Sequence, residues 1–148
     1  HDIGKVAVPD AILMKPTSLT SEEWAIMKRH PEIGYRIAHA SGNLACIADE
    51  SLSHHERWDG TGYPNNLKGR QIPYLSRIIA IIDAYDTMIR GRHYEKPISE
   101  QEAFNELKQH AGTQFDPTLI QRFMHFMERS KIRHTMVTTD YLRTSPPR

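Results

Sequence analysis

The side chains able to bind metal or move protons are unevenly placed along this chain. His1-Asp2 open it, His30 follows, His54-His55 form an adjacent pair, and Asp83 falls inside an otherwise apolar stretch. Taken singly, most have an ordinary structural explanation. A lone histidine such as His30 on a helix suits a surface or satisfied core position, and His54-His55 at a helix end can partner the C-terminal dipole. Asp83 is harder to explain that way, because an ionised carboxylate among Ile79, Ile82 and Tyr85 is destabilised by desolvation unless it is paired or holds a metal. A ligand role accounts for it, with Asp86 one turn on as a supporting partner or a cap. Histidines and aspartates converging from separate helices are how helical folds assemble two-metal sites.

Composition narrows that chemistry. One cysteine, Cys46, stands against nine histidines, so an internal disulfide and a zinc finger are excluded and any metal site uses imidazole and carboxylate. Nineteen Lys and Arg against 18 Asp and Glu leave a net charge of +1, which gives no general attraction to a nucleic-acid polymer or a membrane surface. An anionic ligand must be caught locally. The longest apolar run, Ile78 to Ile82, is far short of the roughly 20 residues that span a bilayer. With no signal-peptide pattern, a cytoplasmic setting is expected. At 148 residues, 39% hydrophobic and 25% charged, the chain reads as one globular domain.

The elements that must position these groups read as helices. Thr20 and Glu23 have capping-box spacing, and Trp24, Met27, Ile33 and Ile37 continue an apolar stripe, predicting helix over 21–40 with a break or re-entry at Pro31. Leu44, Ile47, Ala48 and Leu52 predict a second helix over 44–54. Residues 57–73 contain Gly60, Gly62, Pro64, Gly69 and Pro73 and predict an irregular loop. Apolar positions over 74–90 predict a core helix that is mostly buried. Ser99 with Glu102 repeats the capping box, and Asp116-Pro117 starts a last helix running to about Arg129. Residues 131–148 are polar, end in Ser-Pro-Pro-Arg, and are expected to form a frayed or disordered tail.

Two segments make the pattern specific: His1-Asp2-Ile3-Gly4-Lys5, and the run from His54-His55-Glu56 through Trp58-Asp59-Gly60 to Gly62-Tyr63-Pro64. With them the chain resembles the HD-GYP family of the HD metal-dependent phosphohydrolase superfamily. The likeness reaches about residue 127 and takes in His30-Pro31, Asp83-Ala84-Tyr85-Asp86 and Gly112-Thr113-Gln114-Phe115-Asp116-Pro117 in family order. The resemblance implies an all-α, HD-type helical bundle. It implies hydrolysis of cyclic di-GMP to the linear dinucleotide, to GMP, or to both, in bacterial second-messenger signalling. It further implies two or three divalent ions, iron or manganese, held by His1, Asp2, His30, His54, His55 and Asp83, with Asp2 as the bridge. Such ions activate water and neutralise charge building on a phosphate, so no protein nucleophile is required.

Substrate contacts follow from the same resemblance. Lys5 lies four residues from His1, so on a continuing helix its ammonium shares that face and reaches a bound phosphate; otherwise it is a solvated surface lysine. Tyr63 matches a ligand-contacting position, where a phenol can stack on guanine and donate to phosphate. Arg92 matches a basic position after the long helix. The family usually has Arg-Pro-Tyr followed by a cation there, whereas this chain reads Arg92-His93-Tyr94-Glu95, with Lys96 next. The family's upstream helices also carry a further His and, in some members, a Glu that admits a third metal. Residues 1–130 are therefore read as the C-terminal part of an HD-GYP domain lacking its N-terminal helices, in a longer polypeptide with an upstream sensor or receiver domain. Two other readings stand beside this one. A weakly catalytic module could bind cyclic di-GMP or contact signalling proteins through the Gly-Tyr-Pro loop. A phosphohydrolase of another nucleotide is permitted by the fold alone, although the 54–64 loop argues against it.

Overall fold

A computed structural model describes the backbone of residues 1–91 and 96–144 and the side chains of 1–91 and 96–130. A 3-10 turn at Ile3–Ala7 leads to α1 (Asp10–Leu13), α2 (Ser21–Met27) and α3 (His30–Ala40). A second 3-10 turn, Ala45–Ile47, runs into α4 (Ala48–Ser53), and a third, Gly69–Gln71, precedes α5 (Tyr74–Arg90), α6 (Glu100–Gln109) and α7 (Pro117–Thr144). Among the described residues there is no strand, only an isolated bridge between Ala111 and Phe115. The all-α expectation holds.

Both capping boxes form. Thr20 accepts from the Glu23 amide while the Glu23 carboxylate accepts from the Thr20 amide, and Ser99 with Glu102 does the same at α6. Each box satisfies donors that a helix start otherwise leaves unpaired. The stretch over 21–40 divides into α2 and α3 at Lys28-Arg29, before Pro31 rather than at it. Pro31 occupies the first turn of α3, where its missing N–H has no partner to lose. The 44–54 segment opens as a 3-10 turn and becomes α-helical only at Ala48.

The core lies between the last three helices, where Ile81, Phe104, Leu107, Phe115, Leu119 and Ile120 form one buried cluster. Tyr85 lies against Phe104 with ring centroids 5.7 Å apart. The expectation that α5 is mostly buried fails. Only Ser76 and Ile81 are buried in it, while Leu75 and Ile82 stay 48% and 49% exposed. The helix packs against α6 and α7 and, at buried Ser76, whose hydroxyl donates to the Glu50 carbonyl at 3.2 Å, against α4, and its apolar residues are spread around more of its circumference than these contacts cover. The last helix also continues past Arg129, so the tail expected from residue 131 is helical as far as Thr144. No Gly or Pro interrupts the chain between Pro117 and Pro146, so nothing local ends the helix earlier.

Close backbone approaches bring the front of the chain onto α3 and α4. A Cβ on buried Gly4 would overlap the His30 carbonyl oxygen and lie 2.6 Å from the Gly34 amide nitrogen. A Cβ on Gly34 would lie 3.0 Å from Ser51 Oγ. The Ser51 hydroxyl donates to the His1 carbonyl at 3.0 Å. At the other end, Arg77 on α5 pairs with Asp116 at 2.8 Å, and Asp116 caps α7 by accepting from Thr118 N at 2.9 Å.

Candidate metal centre

Four side chains converge where the 3-10 turn at Ile3–Ala7, α3 and α4 meet. Asp2 precedes that turn, His30 begins α3, and His54 and His55 directly follow α4. Each offers one ligand atom, and these atoms all lie within 4.8 Å of one another. His30 and His54 are buried. Their Nδ1 atoms lie 2.7 Å from the Met27 carbonyl and 2.6 Å from the Ser51 carbonyl. A carbonyl can only accept, so in the neutral rings the proton sits on Nδ1 and each Nε2 carries a lone pair.

Those lone pairs face one another. His30 Nε2 is 3.4 Å from His54 Nε2 and 3.2 Å from His55 Nε2. Asp2 Oδ1 sits 3.5 Å from His30 Nε2 and 3.7 Å from His54 Nε2. It is buried and has no hydrogen-bond partner among the described residues. A carboxylate oxygen and imidazole lone pairs pointed at one space repel unless a cation lies between them. Nitrogens bound at about 2.0–2.1 Å to one divalent ion stand roughly 2.9–3.4 Å apart when adjacent, which is the spacing here. The imidazole and carboxylate donors suit a first-row transition metal, so the residues fit the group that the resemblance implies.

Electrostatics keep these side chains in the form that can bind a metal. Burial, reinforced by His54 and His30, pushes the His55 pKa down to about 3. Burial also lowers that of His30. For Asp2, burial pushes the carboxyl up, but the Lys5 ammonium outweighs it and holds it below the usual carboxylate range. The His54 ring is too far for a hydrogen bond at 3.7 Å, so the Lys5 contact at 2.6 Å carries that effect. A metal site needs deprotonated ligands.

His1 and Asp83 stand beside this group. His1 Nε2 is 3.6 Å from Asp2 Oδ2 and 3.7 Å from Asp83 Oδ1. Their pairing raises the His1 pKa and lowers that of Asp83, against burial in each case. The Asp83 side chain is 38% exposed, so the desolvation argument from its apolar neighbours overstates its isolation. It lies on the open side of α5, lining the cavity at the centre. Lys5 lies in a 3-10 turn rather than an α-helix and donates to Asp2 Oδ2. Tyr63 stacks on His55 at 4.9 Å between centroids, with Lys28 Nζ 5.5 Å from the Tyr63 ring centroid. Arg92 lies outside the described residues, as do His93, Tyr94 and Glu95.

One residue essential to this geometry escaped the sequence reading. Glu56 is buried, and its carboxylate accepts from Asn65 N at 2.7 Å and from Leu67 N at 3.0 Å. It clamps the loop that presents Tyr63. Gly62 lets that loop fold on itself, since a Cβ there would lie 2.6 Å from Glu56 Cα. The available signal was a carboxylate ahead of a Gly- and Pro-rich loop whose amides have no ladder to join. A cavity of about 940 Å³ opens on the centre, lined by Asp2, Lys5, His30, His55, Tyr63 and Asp83 among others.

A family model described as an HD domain matches residues 1–119. A cyclic di-GMP phosphodiesterase of Thermotoga maritima is 45% identical over 126 residues, covering 84% of this chain and 34% of that protein. A 3'3'-cGAMP-specific phosphodiesterase of Vibrio cholerae is 42% identical over 139 residues, covering 92% of this chain and 27% of that protein. The chain thus spans about a third or less of the length of these curated relatives. Among solved structures, Bd1817, an HDG"Y"P protein from Bdellovibrio bacteriovorus, superposes with a TM-score of 0.63 at 23% identity, covering 86% of this chain and 40% of that one. With these relatives, and with the His1-Asp2 and His54-His55 pairs set in a shared helical fold, the chain belongs to the HD-domain family, in its HD-GYP branch.

Proposed function

We propose that this domain hydrolyses the phosphodiester bonds of cyclic di-GMP, releasing the linear dinucleotide, GMP, or both. The observation that carries the reading is the set of converging Nε2 lone pairs around the unpartnered Asp2 Oδ1, opening on a cavity of about 940 Å³. That volume is near the upper end of the roughly 300–1,000 Å³ of small-molecule sites, and suits a dinucleotide better than a single nucleotide. Relatives named as cyclic di-GMP phosphodiesterases support the substrate.

In this reading His1, Asp2, His30, His54, His55 and Asp83 would hold two or three ions of iron or manganese, with Asp2 in the bridging role that the resemblance implies. Bound divalent metal supplies activated water and neutralises charge developing on the phosphate. Lys5 fixes Asp2 and leaves further N–H donors for a phosphate oxygen on the cavity side. Tyr63 is held against His55 for contact with the substrate, and Arg92 is assigned a phosphate or guanine edge. The Glu56 clamp turns the Gly62-Tyr63-Pro64 loop toward the cavity, which favours substrate contact as its first role. Signalling proteins that dock on the loop, and an upstream sensor or receiver domain, are the partners of this reading. A cytoplasmic setting accords with the exposed free Cys46. Among the described residues no helix is long and apolar enough to cross a membrane.

The test is product analysis after anaerobic loading with iron or manganese. Linear dinucleotide or GMP is expected from cyclic di-GMP. Stoichiometric metal with no product from either metal would refute the substrate assignment.

A further inference from the structure

The cavity that takes in Asp2 and His55 also takes in Leu13, Leu19 and Trp24. Trp24 is 45% exposed although it lies on α2, a helix with no buried residue. This segment is firmly built. The Thr20–Glu23 capping box fixes the start of α2, and Glu23 also holds Lys15 Nζ at 2.6 Å, tying the preceding loop to the helix. An indole is thus set in the wall of a cavity that also holds Asp2, Lys5, His30, His55 and Asp83. An aromatic face beside a phosphate site is the arrangement that recognises a nucleobase, because every base offers a π-face.

Lys15 lines the same cavity. Its bond to Glu23 uses one of three ammonium donors. The others suit paired acceptors, which guanine presents at O6 and N7 and adenine does not, since its N6 is a donor. We infer that Trp24 and Lys15 form a purine subsite of this domain, the indole stacking on one base of the dinucleotide and the ammonium favouring guanine. This subsite rests on the cyclic dinucleotide reading above and adds residues that determine specificity. Neither side chain belongs to the metal-ligand set.

Steady-state kinetics on the metal-loaded protein test it, with cyclic di-GMP compared against methyl p-nitrophenyl phosphate, a diester without a purine. Trp24→Leu keeps the apolar bulk and loses the π-face. It should raise KM for cyclic di-GMP about 10-fold or more, with kcat within about 3-fold because a stack made equally in ground and transition states is uniform binding. Trp24→Phe should restore most of the loss, and neither variant should alter the small diester or the bound metal. Lys15→Met should reduce the preference for cyclic di-GMP over its diadenosine counterpart. An unchanged KM for cyclic di-GMP in Trp24→Leu, or an equal rise for both diesters, would overturn the subsite. If the parent protein cleaves only the small diester, the substrate reading fails by itself. The subsite then stands or falls on equilibrium dialysis of GMP with the metal-free protein: retention by the parent and loss in Trp24→Leu support it, and equal retention overturns it.

Discussion

Gly4→Ala should dismantle the metal centre without touching a ligand. The added methyl would overlap the His30 carbonyl oxygen, and would sit 2.6 Å from the Gly34 amide nitrogen and 2.9 Å from the His30 carbonyl carbon. Ordinary contact begins near 3.4 Å, so the turn must retreat from α3 by about 1.5 Å at its tightest contact, since packed backbone cannot yield as a flexible side chain can. Asp2 sits two residues before Gly4 and moves with it, away from the His30 and His54 nitrogens now 3.5 and 3.7 Å from its Oδ1. Overpacking of this kind costs about 1–3 kcal/mol, or roughly 2–12 °C in Tm for a domain of this size. A displacement of about 1 Å at a reacting centre lowers turnover on the order of 100-fold. Calorimetry, metal content by elemental analysis and the rate on cyclic di-GMP would be measured together. Gly42→Ala serves as the control, because a Cβ there meets nothing within 4 Å. A Gly4→Ala protein with parental metal content and rate would refute the claim that this backbone contact places Asp2.

Other substitutions probe the remaining contacts. Asp2→Ala should abolish turnover and reduce bound metal more than any change at Lys5 or Tyr63, and elemental analysis with rates at saturating metal would check this. Glu56→Gln sets an amide against the Asn65 or Leu67 N–H and removes a charge-assisted bond of about 1.5–3 kcal/mol; loop proteolysis should increase and KM should rise while the ligands still bind metal. The metal-free protein should weaken in acid. His55 takes up its proton at about 3 when folded but near 6.5 when unfolded. Its contribution is therefore complete above about pH 6.5 and is lost as pH falls toward 3, by at most about 1.4 kcal/mol per pH unit. Urea titrations from pH 7 to 4 should show that slope, and His55→Gln should make it shallower, leaving the part that His30 contributes.

The sequence made local devices legible and left long-range coverage obscure. Capping boxes at Thr20 and Ser99 and the ends of α5 are written in neighbouring residues, and they form as read. The burial of α5 is not local: Ile82 and Leu75 are as apolar as Ile81, and the packing of α4, α6 and α7 decides which of them is covered. The length of α7 depended on the absence of a breaker, a weaker signal than the polarity of the tail. In the site, the His30, His54 and His55 grouping with Asp2 was visible through motif order, whereas the reason for each ring's orientation was not. Lys5 could not be placed from helical spacing because its turn is 3-10. Glu56 was hidden because a clamp on backbone amides has no periodicity.

The histidine tautomers have a consequence for how helix ends and metal are linked. The Met27 and Ser51 carbonyls that accept the Nδ1 protons lie in the last turns of α2 and α4, where carbonyls run out of helical partners. Each imidazole thus caps a helix end on one edge and, in the proposed centre, would bind metal on the other. Drawing electron density from Nε2 makes the opposite N–H a stronger donor and brings positive charge to the negative pole of a helix. In the proposed centre, occupancy would thereby be transmitted into the two helices as firmer termination. Fraying of either helix, conversely, frees its ring to rotate, so ligand affinity and helix length become two readings of one local equilibrium.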